Sequence, residues 1–258
     1  EEVTMNIIGI IPVRMNSSRF PGKPMKNIHG MPMVGHCYYR TMMALGAENT
    51  YVATCDAEIR DYIISIGGNA IMTSDTHTRA TTRTAEAMER IEKQIGESVD
   101  VVIMVQGDEP LIQPKTIAET ISYFDEDTTN IVNIMSHLVT QESFEDENNV
   151  KVVVNCNNDA LYFSREPIPS PWKGWNNIPR YMQTGIIAFR RETLIKFNSM
   201  KETQLEQIES VDMNRVLETG GKIKMVLTDA VTIGVDIPEE LVAVEELLVG
   251  DPIMLQYL

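Results

Sequence analysis

The stretch Ile7-Ile-Gly-Ile-Ile-Pro12-Val-Arg14-Met-Asn-Ser17-Ser18-Arg19-Phe-Pro21-Gly22-Lys23-Pro24 passes within a few residues from almost unbroken apolar character to polar, cationic and turn-forming character. An apolar run without alternation, here Ile7 to Val13, reads as a strand covered on both faces. In open α/β sheets, ligands gather beyond the carboxyl ends of strands. A loop at that place with the Ser17 and Ser18 hydroxyls, free backbone N–H groups and the cations Arg14, Arg19 and Lys23 suits a polyphosphate. It is not a Walker loop, because G-x-x-x-x-G-K-[ST] is absent, and no G-x-G-x-x-G occurs in the chain. P-loop and dinucleotide-dehydrogenase readings are thereby removed. The plainer alternative is a solvated basic turn.

Working outward, Tyr51 to Thr54 and Val101 to Val105 are similar short apolar runs that stop at polar residues. Between them Ile59, Ile63 and Ile66 recur at helical spacing before Gly67-Gly68, and Ala85, Met88, Ile91 and Ile95 form a second helical stripe. Pro114 suits a first helical turn, with Ile117, Ile121 and Phe124 on one face. Strand–helix alternation of this kind predicts an α/β sheet. Further on, Val150 to Val154 and Ala160 to Phe163 flank an Asn-Asn-Asp turn and predict a hairpin. Residues 166–180 read as a loop holding Trp172 and Trp175, either a lid or a packed surface segment. Strands are expected at Gly185 to Phe189 and Lys222 to Leu227, one helix from about Leu205 to Glu218, and another from Pro238. With no repeat or linker, the expectation is one domain over 1–258, with a mixed sheet and a small hairpin-based lobe.

The 258 residues carry 22 basic and 37 acidic side chains, a net charge of −15. Such an acidic chain is a poor partner for nucleic acid or an anionic membrane surface, although a local cationic pocket remains compatible with it. No apolar run reaches the ~20 residues of a membrane span. Glu-Glu-Val-Thr-Met at the start lacks the basic region of a signal peptide. Three widely spaced cysteines, Cys37, Cys55 and Cys156, read as reduced thiols and so as a cytoplasmic setting.

Two acidic motifs stand out. Gln106-Gly-Asp108-Glu-Pro110 follows a strand, and an Asp placed there after a Gly can hold Mg²⁺ against phosphates, or simply form a turn. Asp236, in Gly234-Val-Asp236-Ile-Pro-Glu239, fits either a capping box or a metal ligand. None of His29, His36, His77 and His137 has metal-ligand spacing.

Together these segments resemble the 3-deoxy-manno-octulosonate (KDO) cytidylyltransferases over nearly the whole chain. Ile11-Pro-Val-Arg-Met-Asn-Ser-Ser-Arg-Phe-Pro-Gly-Lys-Pro-Met is similar to the family's CTP-binding signature. Tyr51-Val-Ala-Thr-Cys-Asp56, Val105-Gln-Gly-Asp-Glu-Pro110, Val150-Lys-Val-Val-Val154, Ala160-Leu-Tyr-Phe-Ser-Arg165 and Gly234-Val-Asp-Ile-Pro-Glu239 follow in the family's order. The resemblance implies a Rossmann-like sheet of the nucleotide-diphospho-sugar transferase type, a hairpin-based dimerisation lobe and a homodimer. It implies CMP transfer from CTP to KDO or a related ulosonic acid, within lipopolysaccharide biosynthesis. Pro12, Arg14, Ser17, Ser18, Lys23, Arg83 and Gln106 would bind the nucleotide. Asp108 and Asp236 would carry Mg²⁺, and Arg14, Lys23, Asp108 and Asp236 would act in catalysis. Arg165, Gln183, Ile187, Asp212 and Met213 would face the acidic acceptor.

The chain also departs from the family pattern. The family's Ser-Gly-Thr-x-Arg is Arg79-Ala-Thr-Thr-Arg83 here, its His-Leu-Gly-Ile-Tyr strand is Gln183-Thr-Gly-Ile-Ile187, and its Glu-Gln-Leu-Arg is Asp212-Met-Asn-Arg215. Replacing polar acceptor contacts in this way implies an altered acceptor preference. Another sugar acid or a phosphonate, or a non-catalytic nucleotide-binding paralogue, are the alternatives.

Overall fold

Burial on both faces explains the unbroken apolar character of Ile7–Pro12 (β1). In the computed structural model, which describes residues 5–258, Ile8 and Ile10 of β1 enter one hydrophobic cluster while Ile7 and Ile11 enter another on the opposite side. Residues 1–4, part of the segment read for a signal sequence, lie outside the described residues. A short hairpin, Asn27–Ile28 (β2) with Met31–Pro32 (β3), leads into Met33–Leu45 (α1). Then come Thr50–Thr54 (β4), Ala57–Ser65 (α2), Asn69–Met72 (β5), Ala80–Ile95 (α3), Val101–Val105 (β6) and Pro114–Glu119 (α4). β5, β4, β1 and β6 lie side by side and parallel. The chain runs outward from β1 in one direction and returns to add β6 on its other side, so the β1–β6 junction is the switch point of the sheet.

The second half completes the sheet with Ile131–His137 (β7), Gln141–Glu145 (α5), Lys151–Val154 (β8), Ala160–Ser164 (β9), Tyr181–Arg190 (β10), Arg191–Ser199 (α6), Gln204–Glu209 (α7), Met213–Glu218 (α8), Lys224–Thr228 (β11) and Pro238–Leu247 (α9). β10 runs antiparallel between β6 and β7, and β11 pairs parallel with β7. Helices α1, α2 and α4 cover one face, and α3, α6 and α8 the other. Among the described residues, no helix is long and apolar enough to cross a membrane. Cys37, Cys55 and Cys156 are free thiols.

Three features differ from the sequence reading. The hairpin β8–β9, expected as a small lobe, is continuous with the main sheet, since β8 also pairs with the first residues of β10. The single helix expected from Leu205 to Glu218 is two helices, because Ser210 adopts a left-handed conformation (φ 53°) that ends α7. Finally, β10 starts at Tyr181, well before Gly185, and its pairing with β7 shifts between Gln183 and Ile187. This bulge is filled by the buried Asn133 amide, which donates to the carbonyls of Thr184 (3.2 Å) and Ile186 (2.9 Å). Strand β7 supplies that amide, yet its Asn133 and Ser136 interrupt the apolar pattern that would mark it in the sequence.

Candidate active site

The loop after β1 is shaped by backbone bonds and one carboxylate. Met15 N–H donates to Asp56 Oδ2 (2.8 Å), Gly22 N–H to Met15 O (3.1 Å), and Gly22 takes φ 71°. This folds the cationic segment over the carboxyl ends of β1 and β6. A cleft of about 440 Å³ results. Pro12, Arg14, Ser17, Ser18, Lys23, Arg83, Gln106, Asp108 and Asp236, the whole nucleotide and metal set read from the sequence, line it. At its edge, Gly107 permits the β6 loop to approach β1, since a Cβ there would sit 3.0 Å from the Val13 side chain.

Lys23 stands at the centre. Its ammonium donates to Asp108 Oδ2 (3.1 Å), Asp236 Oδ1 (3.1 Å) and Val235 O (2.7 Å). Val235 N–H in turn donates to Asp108 O (2.9 Å), which ties the two acidic loops together. Burial by itself would lower the Lys23 pKa, but Asp108 and Asp236 outweigh it and the pKa is raised, so the cation persists at neutral pH. Arg19 reaches Asp236 Oδ1 as well (3.1 Å) and donates to Asn148 Oδ1 (2.8 Å) across the cleft. Asp236 does not cap α9. Glu240 performs that task, accepting from Asp236 N–H (2.6 Å) and Ile237 N–H (3.1 Å), so the Asp236 carboxylate is left to the cleft.

Arg83 is 3% exposed. Its Nη1 donates to Thr73 Oγ1 (2.5 Å) and Ser74 O (3.2 Å), while Nη2 is buried without a protein partner. An orphaned guanidinium N–H on a cleft wall is a donor prepared for a ligand acceptor. Beside it, Arg14 Nη1 donates to His77 O (3.2 Å), and the His77 ring pairs with Glu86 and with Thr82 Oγ1 (3.1 Å).

A second cleft of about 320 Å³ adjoins the first and shares Arg79, Gln106, Asp108 and Asp236 with it. Arg165, Gln183, Ile187, Asp212 and Met213 all line it, but mostly with atoms already engaged. Arg165 donates to the carbonyls of Glu209 (2.7 Å) and Glu147 (2.9 Å). The Glu209 carboxylate clasps the same strand end, accepting from Tyr162 OH, Ser164 Oγ and Arg165 N–H. Gln183 donates to Asn133 Oδ1 (2.8 Å). Ile187 and Met213 belong to the hydrophobic core and form an apolar floor. Glu109, also at this cleft, accepts from Gly185 N–H (2.8 Å); burial, reinforced by Asp108, pushes its pKa up to about 8.

Arg19 lines the first cleft with the other cations of its loop. Arg79, Glu109 and Asn148 join the site without having been singled out as site residues from the sequence; Arg79 and Glu109 sit inside quoted motifs, whereas Asn148 carried no local signal. Trp175 packs edge-on against Phe144 and beneath the Arg180 guanidinium, and Trp172 is 86% exposed. Neither lines the two clefts: Trp175 is packed, while Trp172 stands in solvent.

Comparisons with known proteins agree with this architecture. A family model described as cytidylyltransferase matches residues 8–224. The 3-deoxy-manno-octulosonate cytidylyltransferase of Fusobacterium nucleatum is 41% identical over 238 residues, covering 92% of this chain and 94% of that protein. The protein of the same name from Escherichia coli is 36% identical over 240 residues, covering 93% and 94%. Among solved structures, CMP:2-keto-3-deoxy-manno-octonic acid synthetase complexed with CTP superposes with a TM-score of 0.85 at 34% identity, over 95% of this chain and 99% of that one. A putative glucose-1-phosphate thymidylyltransferase from Bacillus anthracis, 14% identical with a TM-score of 0.65, shares the fold. With its cation-lined cleft at the switch point and these relatives along nearly its full length, the chain belongs to the 3-deoxy-manno-octulosonate cytidylyltransferase family.

Proposed function

We propose that this protein, as one domain over 1–258, transfers CMP from CTP to the anomeric hydroxyl of KDO and releases pyrophosphate. The observation that carries this reading is the pair of adjoining clefts joined at Asp108 and Asp236, one cationic and one acceptor-sized. Arg14, Lys23 and the Ser17–Ser18 segment hold the triphosphate in the first, with Arg83 Nη2 toward the base. The acceptor hydroxyl approaches the α-phosphate from the second. Charge then grows on the leaving pyrophosphate, and fixed cations in a cleft stabilise it without reorganisation.

Asp108 and Asp236 fit Mg²⁺. Their carboxylates converge on one ammonium group, and among the described residues no cluster of three or more His, Cys, Asp or Glu offers a complete protein cage. Two carboxylates completed by phosphate oxygens is the usual Mg²⁺ arrangement. When bound, the ion neutralises phosphate charge and lowers the pKa of a bound hydroxyl. A homodimer, a cytoplasmic setting and a role in lipopolysaccharide biosynthesis belong to the same reading.

Pyrophosphate release with CTP, Mg²⁺ and KDO, beside a panel of other sugar acids and phosphonates, tests it. Turnover with KDO supports the proposal. Turnover with a different acid alone transfers the proposal to that acceptor. CTP binding without turnover across the panel overturns it in favour of a non-catalytic paralogue.

A further inference from the structure

Arg79 occupies an unfavourable place for an arginine. It is the N-cap of α3, where Ser, Thr, Asp or Asn satisfy the first N–H groups and where the helix dipole disfavours a cation. It makes no side-chain cap there. Instead its guanidinium crosses the junction of the two clefts, and Nη1 meets Asp212 Oδ1 at 2.9 Å, with Glu202 4.0 Å from Nε. Thr81 Oγ1 donates to the other Asp212 oxygen (2.7 Å). Both oxygens of Asp212 are therefore occupied by residues of the Arg79–Arg83 segment, the same segment that departs from the family's Ser-Gly-Thr-x-Arg.

The charge around the acceptor gives this pairing its meaning. Asp108, Glu109, Asp212, Asp236 and Glu240 line the second cleft, against the cations Arg79 and Arg165. Asp108 and Asp236 share Lys23, Glu240 caps α9 and Glu109 accepts from Gly185 N–H. Arg165 is turned to main-chain carbonyls. Asp212 alone depends on Arg79. An acidic acceptor entering this cleft beside an unpaired Asp212 would meet like charge in a partly desolvated place.

We infer that Arg79 is a specificity-determining positioning residue: it neutralises and anchors Asp212, so that the acceptor cleft admits an anionic sugar acid. The inference rests on the proposed CMP transfer to KDO. It is tested by the double-mutant cycle of Arg79→Ser and Asp212→Asn, with Arg79→Lys as the charge-conserving control, following pyrophosphate release under varied CTP and varied KDO. Arg79→Ser is expected to raise the KDO KM about tenfold, with the CTP KM within about twofold, and the defect shrinks at high salt as the repulsion is screened. The double variant recovers most of the loss because the stray carboxylate is gone, and Arg79→Lys, which keeps the charge, raises the KDO KM less than Arg79→Ser does. A double variant as impaired as Arg79→Ser overturns the inference, since Arg79 would then be touching the acceptor itself. An equal rise in both KM values also overturns it, as the mark of a loosened α3. Wild-type protein silent with KDO rejects the underlying reading and this inference with it, whereas wild-type turnover with an unmoved KM in Arg79→Ser rejects the inference alone.

Discussion

Asp108 and Asp236 face one another across a single ammonium group, each with a carboxylate oxygen 3.1 Å from Lys23 Nζ. One follows β6 and the other precedes α9, and the Val235 N–H to Asp108 O bond holds the two loops in register.

Replacing one of them separates chemistry from folding. Asp108→Asn is expected to reduce pyrophosphate release by about 10³-fold or more, the scale at which loss of fixed charge stabilisation is felt. Its circular dichroism and melting temperature remain close to wild type, since the side chain is partly exposed and packs in no hydrophobic cluster. Normal turnover in this variant would remove Asp108 from the metal site.

Arg83 makes a second test on the nucleotide side. Arg83→Met keeps much of the volume but removes the orphaned Nη2 donor. A hydrogen bond from a charged donor contributes about 1.5–3 kcal/mol, so the CTP KM rises about tenfold or more while the KDO KM is unchanged. Steady-state kinetics with each substrate varied in turn would reveal an acceptor effect instead, if the base lies elsewhere.

Two carboxylates of α7 contribute acid sensitivity. Burial pushes the Glu206 carboxyl up, but the Arg215 guanidinium, at 2.5 and 2.7 Å, outweighs it and its pKa lies below the usual carboxylate range. Glu209 is likewise held low, its burial outweighed by the Arg165 N–H and the Ser164 and Tyr162 hydroxyls. In the unfolded chain both titrate near 4.3. Around that pH the unfolded state binds more protons, so stability is full above it and is lost as pH falls through the lower folded values. Urea unfolding from pH 7 to pH 3 follows this, and Glu206→Gln should flatten the dependence while costing about 3 kcal/mol at pH 7, because Arg215 is left buried and unpaired. An unchanged pH slope in that variant contradicts the assignment.

The C-terminal segment braces the Asp108 loop from behind. Fully buried Arg40 donates to Ile112 O (3.1 Å) and Tyr257 OH (3.1 Å) and pairs with Asp251, while the His36 ring also bonds the Tyr257 hydroxyl (2.8 Å). Tyr257→Phe removes one hydroxyl shared by two partners and is expected to cost about 1–3 kcal/mol of unfolding free energy by chemical denaturation. A neutral result would show that the brace rests on Asp251 alone.

Much of this site was legible from residue order. The loop from Pro12 to Lys23 and the motif around Asp108 sit at the ends of apolar runs, and an apolar run covered on both faces announces its own end. Strand β7 was not legible, because Asn133, which satisfies the bulge of β10, and Ser136, which bonds the Thr232 hydroxyl, break its pattern. The helix break at Ser210 was equally silent: a left-handed serine has no local signature, and the apolar stripe runs through it.

What the sequence by itself determined is the strand–helix alternation around β1, β4 and β6 and the chemistry carried at those strand ends, since both follow from local periodicity and residue type. Tertiary structure alone decided which charges meet. Asp236 faces Lys23 instead of capping its helix because Glu240 takes the cap, and Asp212 is tied to Arg79 because α3 and the α7–α8 break pack against the same cleft. Contacts between residues so distant along the chain depend on how the helices settle on the sheet, and no local pattern records that.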